Sequence, residues 1–137
     1  MASAEPEVVW DLVADATSYS QWGAWNASGY GDPGDLADGG AGPVRWFRFG
    51  RILTVERVLT AERPRRLTYT VLRGTPVRNY LAEVTLERQG EGTFIHWTAD
   101  WDATLLGRIV HRRLRTFYPD MVRRLIAAAD ARAAQSA

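Results

Sequence analysis

Proton chemistry in this chain falls to very few side chains. There is no cysteine, and the only histidines are His96 and His111. That removes thiol nucleophiles, disulfides and thiolate metal sites, and leaves little for an imidazole-rich metal centre. The catalytic candidates are Glu56, Tyr69 and Tyr80, each inside a stretch that reads as a β-strand. A carboxyl stripped of water gains basicity and can exchange a proton near neutral pH. A buried phenol can hold a carbonyl or phenol oxygen by hydrogen bond, or donate a proton. Ordinary roles stay open beside these. Glu56 can be a solvent-facing strand glutamate paired with an arginine. Tyr69 and Tyr80 can be core tyrosines whose hydroxyls reach backbone or water.

Six tryptophans, at 10, 22, 25, 46, 97 and 101, are the other unusual feature. Trp is large and rigid, suited to a core or to the wall of a ligand cavity. Trp97 and Trp101 share one face of a strand, and Trp22 and Trp25 precede a glycine-rich stretch. Trp25, Trp97 and Trp101 are expected to line a cavity as an aromatic box for a planar polycyclic ligand, and Trp10 and Trp22 to lie in the core. His96 alternates with Trp97 and is expected to face outward. Asp100 and Asp102 share that parity, but no further ligands converge by spacing, so no metal and no cofactor is expected.

The elements that position these residues follow from hydrophobic period. Residues 105–134 contain Leu106, Val110, Leu114, Phe117, Met121, Leu125 and Ala128 at steps of three and four, one stripe along a helix. At about 1.5 Å per residue the helix spans roughly 40 Å, with a kink expected at Pro119. Residues 5–14 and 19–25 read as short helices, the first with Val9, Trp10 and Val13 on one face. Residues 29–42 hold six Gly, one Pro and three Asp, and read as a loop long enough to act as a lid.

From Pro43 the period changes to two, and 44–49, 52–61, 66–72, 79–88 and 93–102 read as strands joined by short turns, hence an antiparallel meander. Alternation turns Leu67, Tyr69 and Val71 inward, then Tyr80, Ala82, Val84 and Leu86, then Ile95, Trp97, Ala99 and Trp101. In 52–61 polarity does not decide between Thr54, Glu56 and Val58 on one face and Val55, Arg57 and Leu59 on the other. The expected fold is α+β, one domain over 1–137, in which the sheet grips the long helix. Besides the tryptophans, Val58, Val71, Ala82, Phe117 and Met121 are expected to line the space between them.

Composition sets the outer limits. Hydrophobic residues at 46% and charged residues at 24% suit one soluble domain of 137 residues. A net charge of +1 gives no electrostatic case for nucleic acid or membrane, no apolar run reaches spanning length, and a cytoplasmic location is expected. All 17 basic residues are arginine, which suggests coding bias. Arg108, Arg112, Arg115 and Arg123 follow helical steps off the apolar stripe, with Arg113 and Arg124 beside them. A solvated face is the ordinary reading, and docking of an acidic partner or carrier protein the livelier one. Arg45, Arg48 and Arg78 are lesser candidates for reaching a ligand carboxylate.

The opening Val9-Trp10-Asp11-Leu12-Val13-Ala14-Asp15, followed by Tyr19 and Trp22, a glycine-rich loop, five strands and a terminal helix, resembles the START-like, helix-grip (SRPBCC) superfamily. That superfamily includes bacterial polyketide cyclase/dehydrase-type proteins, Bet v 1-like allergens and plant abscisic acid receptors. Arg63-Pro64-Arg65-Arg66-Leu67 and Gly92-Thr93 carry the resemblance further. Val77-Arg78-Asn79-Tyr80 looks like the segment that places a tyrosine in the abscisic acid receptor pocket. The resemblance implies a cavity between sheet and helix with Glu56 inside it. It also implies binding of a hydrophobic, aromatic or polycyclic small molecule, with polyketide-type cyclisation or dehydration as the enzymatic version.

A non-catalytic lipid or metabolite carrier or sensor is the alternative. A protein-interaction module of stress or toxin–antitoxin type, using the arginine-rich helix, is a third reading. The superfamily usually starts with a strand, for which only Met1 to Ala4 remain here. The sheet is therefore expected to have an open edge, through which a homodimer could form.

Overall fold

The computed structural model describes residues 1–31, 43–75, 77–102 and 104–136. Helix α1 (Pro6–Val13) starts with proline in its first turn, where the missing N–H costs nothing, and buries Val9, Trp10, Leu12 and Val13. The Asp15 side chain accepts from Thr17 N and so caps the 3-10 turn Ala16–Ser18, which leads into α2 (Tyr19–Trp22). The long helix α3 (Leu105–Ser136) runs continuously through Pro119.

Among the described residues six strands follow one another in a single antiparallel sheet of order β1-β2-β3-β4-β5-β6. They are β1 (Ala27–Tyr30), β2 (Val44–Phe49), β3 (Ile52–Glu62), β4 (Arg66–Arg73), β5 (Leu81–Gln89) and β6 (Gly92–Asp100). The α+β helix-grip expectation holds, with one strand more than the sequence pattern supplied. Strand β1 lies just after the expected short helix at 19–25 and takes in Gly29 and Tyr30, where the expected loop began. Its Ala-Ser-Gly-Tyr has no apolar alternation, and pairing with β2 rather than propensity makes it a strand. Residues 32–42, most of the expected lid, lie outside the described residues.

The two-residue turn at Gly50 and Arg51 sets Phe49 opposite Ile52, and from there counts back to Arg45 opposite Glu56. Strand β3 then breaks the simple period. Its register to β4 shifts between Val55 and Glu56 and again between Val58 and Thr60. A bulge turns an extra residue out of the alternation and bends the strand. Val55, Glu56, Arg57 and Val58 are consequently all buried, which is why polarity did not assign a face.

The start of the chain closes part of the sheet edge. Ala2 exchanges both backbone hydrogen bonds with Thr93, at 2.8 and 2.9 Å, and Asp130 of α3 accepts from Ser3 N and Ala4 N. The outer edge of β6 beyond that bridge has no strand partner among the described residues.

Along α3, Val110, Met121, Leu125 and Ala129 are buried, and Leu114, Phe117, Tyr118 and Ala128 are half-buried. The expected stripe thus needs two corrections. Ala129, a step of four from Leu125, is its deepest alanine rather than Ala128. Leu106 is exposed, as are Leu105 and Ile109, because no described element covers the first turn.

Gly74, at the end of β4, has φ of +102°, and a Cβ there would meet Thr54 Cα at 2.7 Å and Leu53 O closer still. Neither atom belongs to a side chain that could move aside. Gly74→Ala is expected to destabilise the protein by about 2 kcal/mol or more, from the positive φ and the backbone clash together. Urea unfolding checks this, and a loss under about 0.5 kcal/mol, the usual size for a surface change, would refute it.

Candidate functional site

Three layers of sequence meet in one internal space. Strands β2, β3 and β4 place Phe47, Thr54, Glu56, Tyr69 and Val71 on its sheet side. Tyr80 and Trp97 extend that wall, Leu114, Phe117 and Tyr118 of α3 form the facing one, and Tyr19 and Trp25 close an end. The cavity is about 110 Å³ and partly open to the outside. That is well below the ~300–1,000 Å³ of a site for a drug-sized ligand.

Glu56 is the polar centre of the wall. Its Oε1 accepts from Arg45 Nε at 3.0 Å, and no described group donates to Oε2. Both side chains are out of water: Arg45 is 1% exposed and Glu56 8%. Arg45 Nη1 also donates to Val13 O at 3.3 Å and Tyr19 Oη at 3.4 Å. Its guanidinium carbon lies 5.2 Å from the Tyr19 and Phe47 ring centres and 4.7 Å from that of Tyr69. This aromatic seat is favourable for a desolvated cation.

Burial pushes the Glu56 carboxyl up to about 7, against the opposing pull of Arg45. The phenols move away from neutrality. Burial raises Tyr19 to about 12, and burial with the neighbouring Tyr118 raises Tyr69 well above its ordinary value. Tyr118 is raised too, first by burial and then by Glu56. At neutral pH these tyrosines are therefore donors and acceptors of hydrogen bonds, while Glu56 can exchange a proton. Trp97 Nε1 donates to Tyr69 Oη at 3.0 Å, and the Tyr80 and Tyr118 hydroxyls bond to each other. A ligand oxygen entering here meets phenol hydroxyls on the same wall as a carboxyl that titrates near neutral pH.

All three catalytic candidates are thus on one cavity, with Trp25, Trp97, Val71 and Phe117 of the expected lining. Val58, Ala82 and Met121 are core residues that do not reach it. Trp101 lies outside: its ring stacks on Tyr80 at 5.8 Å and 5°, and its Nε1 donates to Gly107 O. Trp10 and Trp22 are buried in the core.

Glu56 is buried, so the solvent-facing alternative fails, although the arginine pairing that went with it is present. Sequence reasoning gave Arg45 no part in this pair, although the tight turn at Gly50 fixes the cross-strand count that joins them. It also passed over Tyr118, which sits on the cavity side of α3 beside Phe117. Among the described residues no three His, Asp or Glu side chains converge as a metal site, and no helix is long and apolar enough to cross a membrane.

Solved structures share this architecture at low identity. A Thermobifida fusca protein matches with a TM-score of 0.73 and 21% identity, over 93% of this chain and 87% of its own. XoxI from Bacillus cereus matches at 0.71 and 21%, over 93% and 89%. A protein from Thermus thermophilus matches at 0.67 and 17%, over 99% and 94%. No curated protein is similar in sequence. A family model described as polyketide cyclase / dehydrase and lipid transport matches residues 1–135. With that match across nearly its whole length, the chain belongs to the polyketide cyclase/dehydrase and lipid transport family.

Proposed function

We propose that the cavity binds a small aromatic molecule carrying a carbonyl or hydroxyl oxygen, and that Glu56 exchanges a proton with it. The observation that carries this reading is the Glu56 carboxyl. It is held at one oxygen by Arg45, is shifted to about 7, and lies on a wall of aromatic rings. In the enzymatic form, Oε2 takes a proton from a carbon next to a carbonyl while Tyr69 or Tyr80 holds the carbonyl oxygen. Ring closure or loss of water follows, helped most by the enforced geometry of the bound chain. In the carrier form, the same groups only recognise the oxygen. Val71, half-buried on β4 and facing the cavity, offers a way to fill the space without touching the polar groups.

Titrating phenol into labelled protein is expected to shift the indole N–H resonances of Trp25 and Trp97, and Val71→Phe to abolish those shifts while the fold persists. Phenol leaving both indoles unmoved in the parent would remove the binding reading. A compound identified by native mass spectrometry of protein from its own host then serves as substrate. Glu56→Gln is expected to bind it within a few-fold of the parent and to lose turnover; unchanged processing would leave the carrier form.

The protonation of Glu56 has its own signature. Its folded value, about 7, lies above the ordinary 4.5, so the folded state holds the extra proton between them. Stability from this group is fully present below pH 4.5 and is lost as pH rises through about 7. Glu56→Gln cannot titrate. The parent's stability relative to the variant should therefore fall between pH 4.5 and 8, by on the order of 3 kcal/mol. Unfolding curves for both proteins across that range measure it, and a constant difference would show that Glu56 stays ionised.

A further inference from the structure

We infer that the groove between β6 and α3 is a second subsite of this cavity, taking the anionic end of an amphipathic ligand whose aromatic end sits inside. This rests on the ligand-binding reading above. The groove is open, about 560 Å³, and lined by Arg108, His111, Arg112 and Arg115 of α3 against Trp101 and Asp100. The Tyr80–Trp101 stack is the partition between the two spaces: Tyr80 lines the cavity and Trp101 the groove, with their rings parallel at 5.8 Å. The cavity by itself is too small for more than a single-ring head, and the groove supplies the missing room.

The arginines are placed against their own helix's interest. Arg108, Arg112 and Arg115 stand at steps of four and three within the first three turns of α3, whose first turn holds no acidic residue. Arg108, in the first turn, opposes the helix dipole, and like charges at steps of three and four repel. Arg63, Arg65, Arg66, Arg88, Arg123 and Arg124 all have carboxylate partners. None of the three groove arginines pairs with a described carboxylate. Across the groove stand two carboxylates, Asp100 and Asp102, the latter accepting from Asn79 Nδ2 at 2.9 Å, so three guanidinium groups face two acids and one positive charge is left over. A phosphate or carboxylate fits that excess, since arginine binds either by paired charge-assisted hydrogen bonds.

The test compares 4-phenylbutanol with 4-phenylbutyl phosphate and 5-phenylpentanoate by calorimetry at low salt. Both anions are expected to bind about tenfold tighter than the alcohol, one good charge-assisted contact's worth, and added salt to erase the gain. Whichever anion gains more identifies the tail. In Arg108→Ala/Arg112→Ala/Arg115→Ala the alcohol should bind as before, the anion advantage should vanish, and the melting temperature should not fall. Arg112→Gln alone should lose part of the advantage. Equal affinity of alcohol and anions in the parent overturns the subsite and leaves the cavity reading intact. Inorganic phosphate binding as tightly as the ester, or ester binding that ignores Val71→Phe, overturns the link between groove and cavity. No binding by any of the three probes sinks the cavity reading and this inference with it.

Discussion

The constraint on which the structure turns is the burial of Arg45 and Glu56 as a pair. Removing two charges from water costs several kcal/mol per ion, and the attraction between them repays that only with good geometry and further hydrogen bonds. The chain supplies both except at Arg45 Nη2, which is buried with no hydrogen-bond partner among the described residues. The turn at Gly50 fixes the register that sets the two residues opposite each other. The Val13 carbonyl and the Tyr19 hydroxyl accept from the guanidinium, and three rings surround it. Helices α1 and α2 and strand β2 are thus tied together by one cation. A hydrophobic pair in the same place would avoid the desolvation cost, so stability alone does not account for these residues. What the arrangement provides is an immobilised carboxyl with one oxygen unengaged by any described residue and its protonation poised near neutrality.

Much of this was legible in the sequence, and the rest was hidden for identifiable reasons. The long helix, the five longer strands and the inward tyrosines all show in period, because their buried faces are apolar. Strand β1 does not, since Ala-Ser-Gly-Tyr takes its conformation from β2 rather than from its own pattern. The face of Glu56 did not show because two register shifts in β3 bury four consecutive residues. A bulge has no composition of its own and appears only in the pairing. Arg45 was readable in principle: the count across the Gly50 turn reaches Glu56, and Phe47 shares its face. The rule that arginines face water hid it, and a buried arginine is the informative exception.

Trp101 shows the limit of parity in a different way. Alternation places it with Trp97, which is right for the strand but fails at its end. Strand β6 stops at Asp100, and the next residue is already turning toward α3. There the Trp101 indole donates to Gly107 O, and a Cβ on Gly107 would sit 3.0 Å from the ring. The glycine therefore lets the helix approach the tryptophan, and the tryptophan in turn presses on Tyr80. A residue expected to line the cavity instead supports the residue that does.

Cavity size decides which ligands this arrangement admits, and α3 decides the cavity size. The two halves of that helix are held differently. Met121, Leu125 and Ala129 are fully buried, and Asp130 is bonded to the start of the chain. The half before Pro119 has Val110 buried, Leu114, Phe117 and Tyr118 half-buried against the cavity, and three exposed apolar residues in its first turns. Pro119 lies between the halves and lacks the N–H that would join them across that turn. Widening the cavity from the well-packed half would open a buried core, at several kcal/mol for each large side chain uncovered. Widening it from the half before Pro119 gives up contacts that are already partial. Room for anything larger than one ring would therefore have to come from that half of α3, the same half that carries Arg108, Arg112 and Arg115.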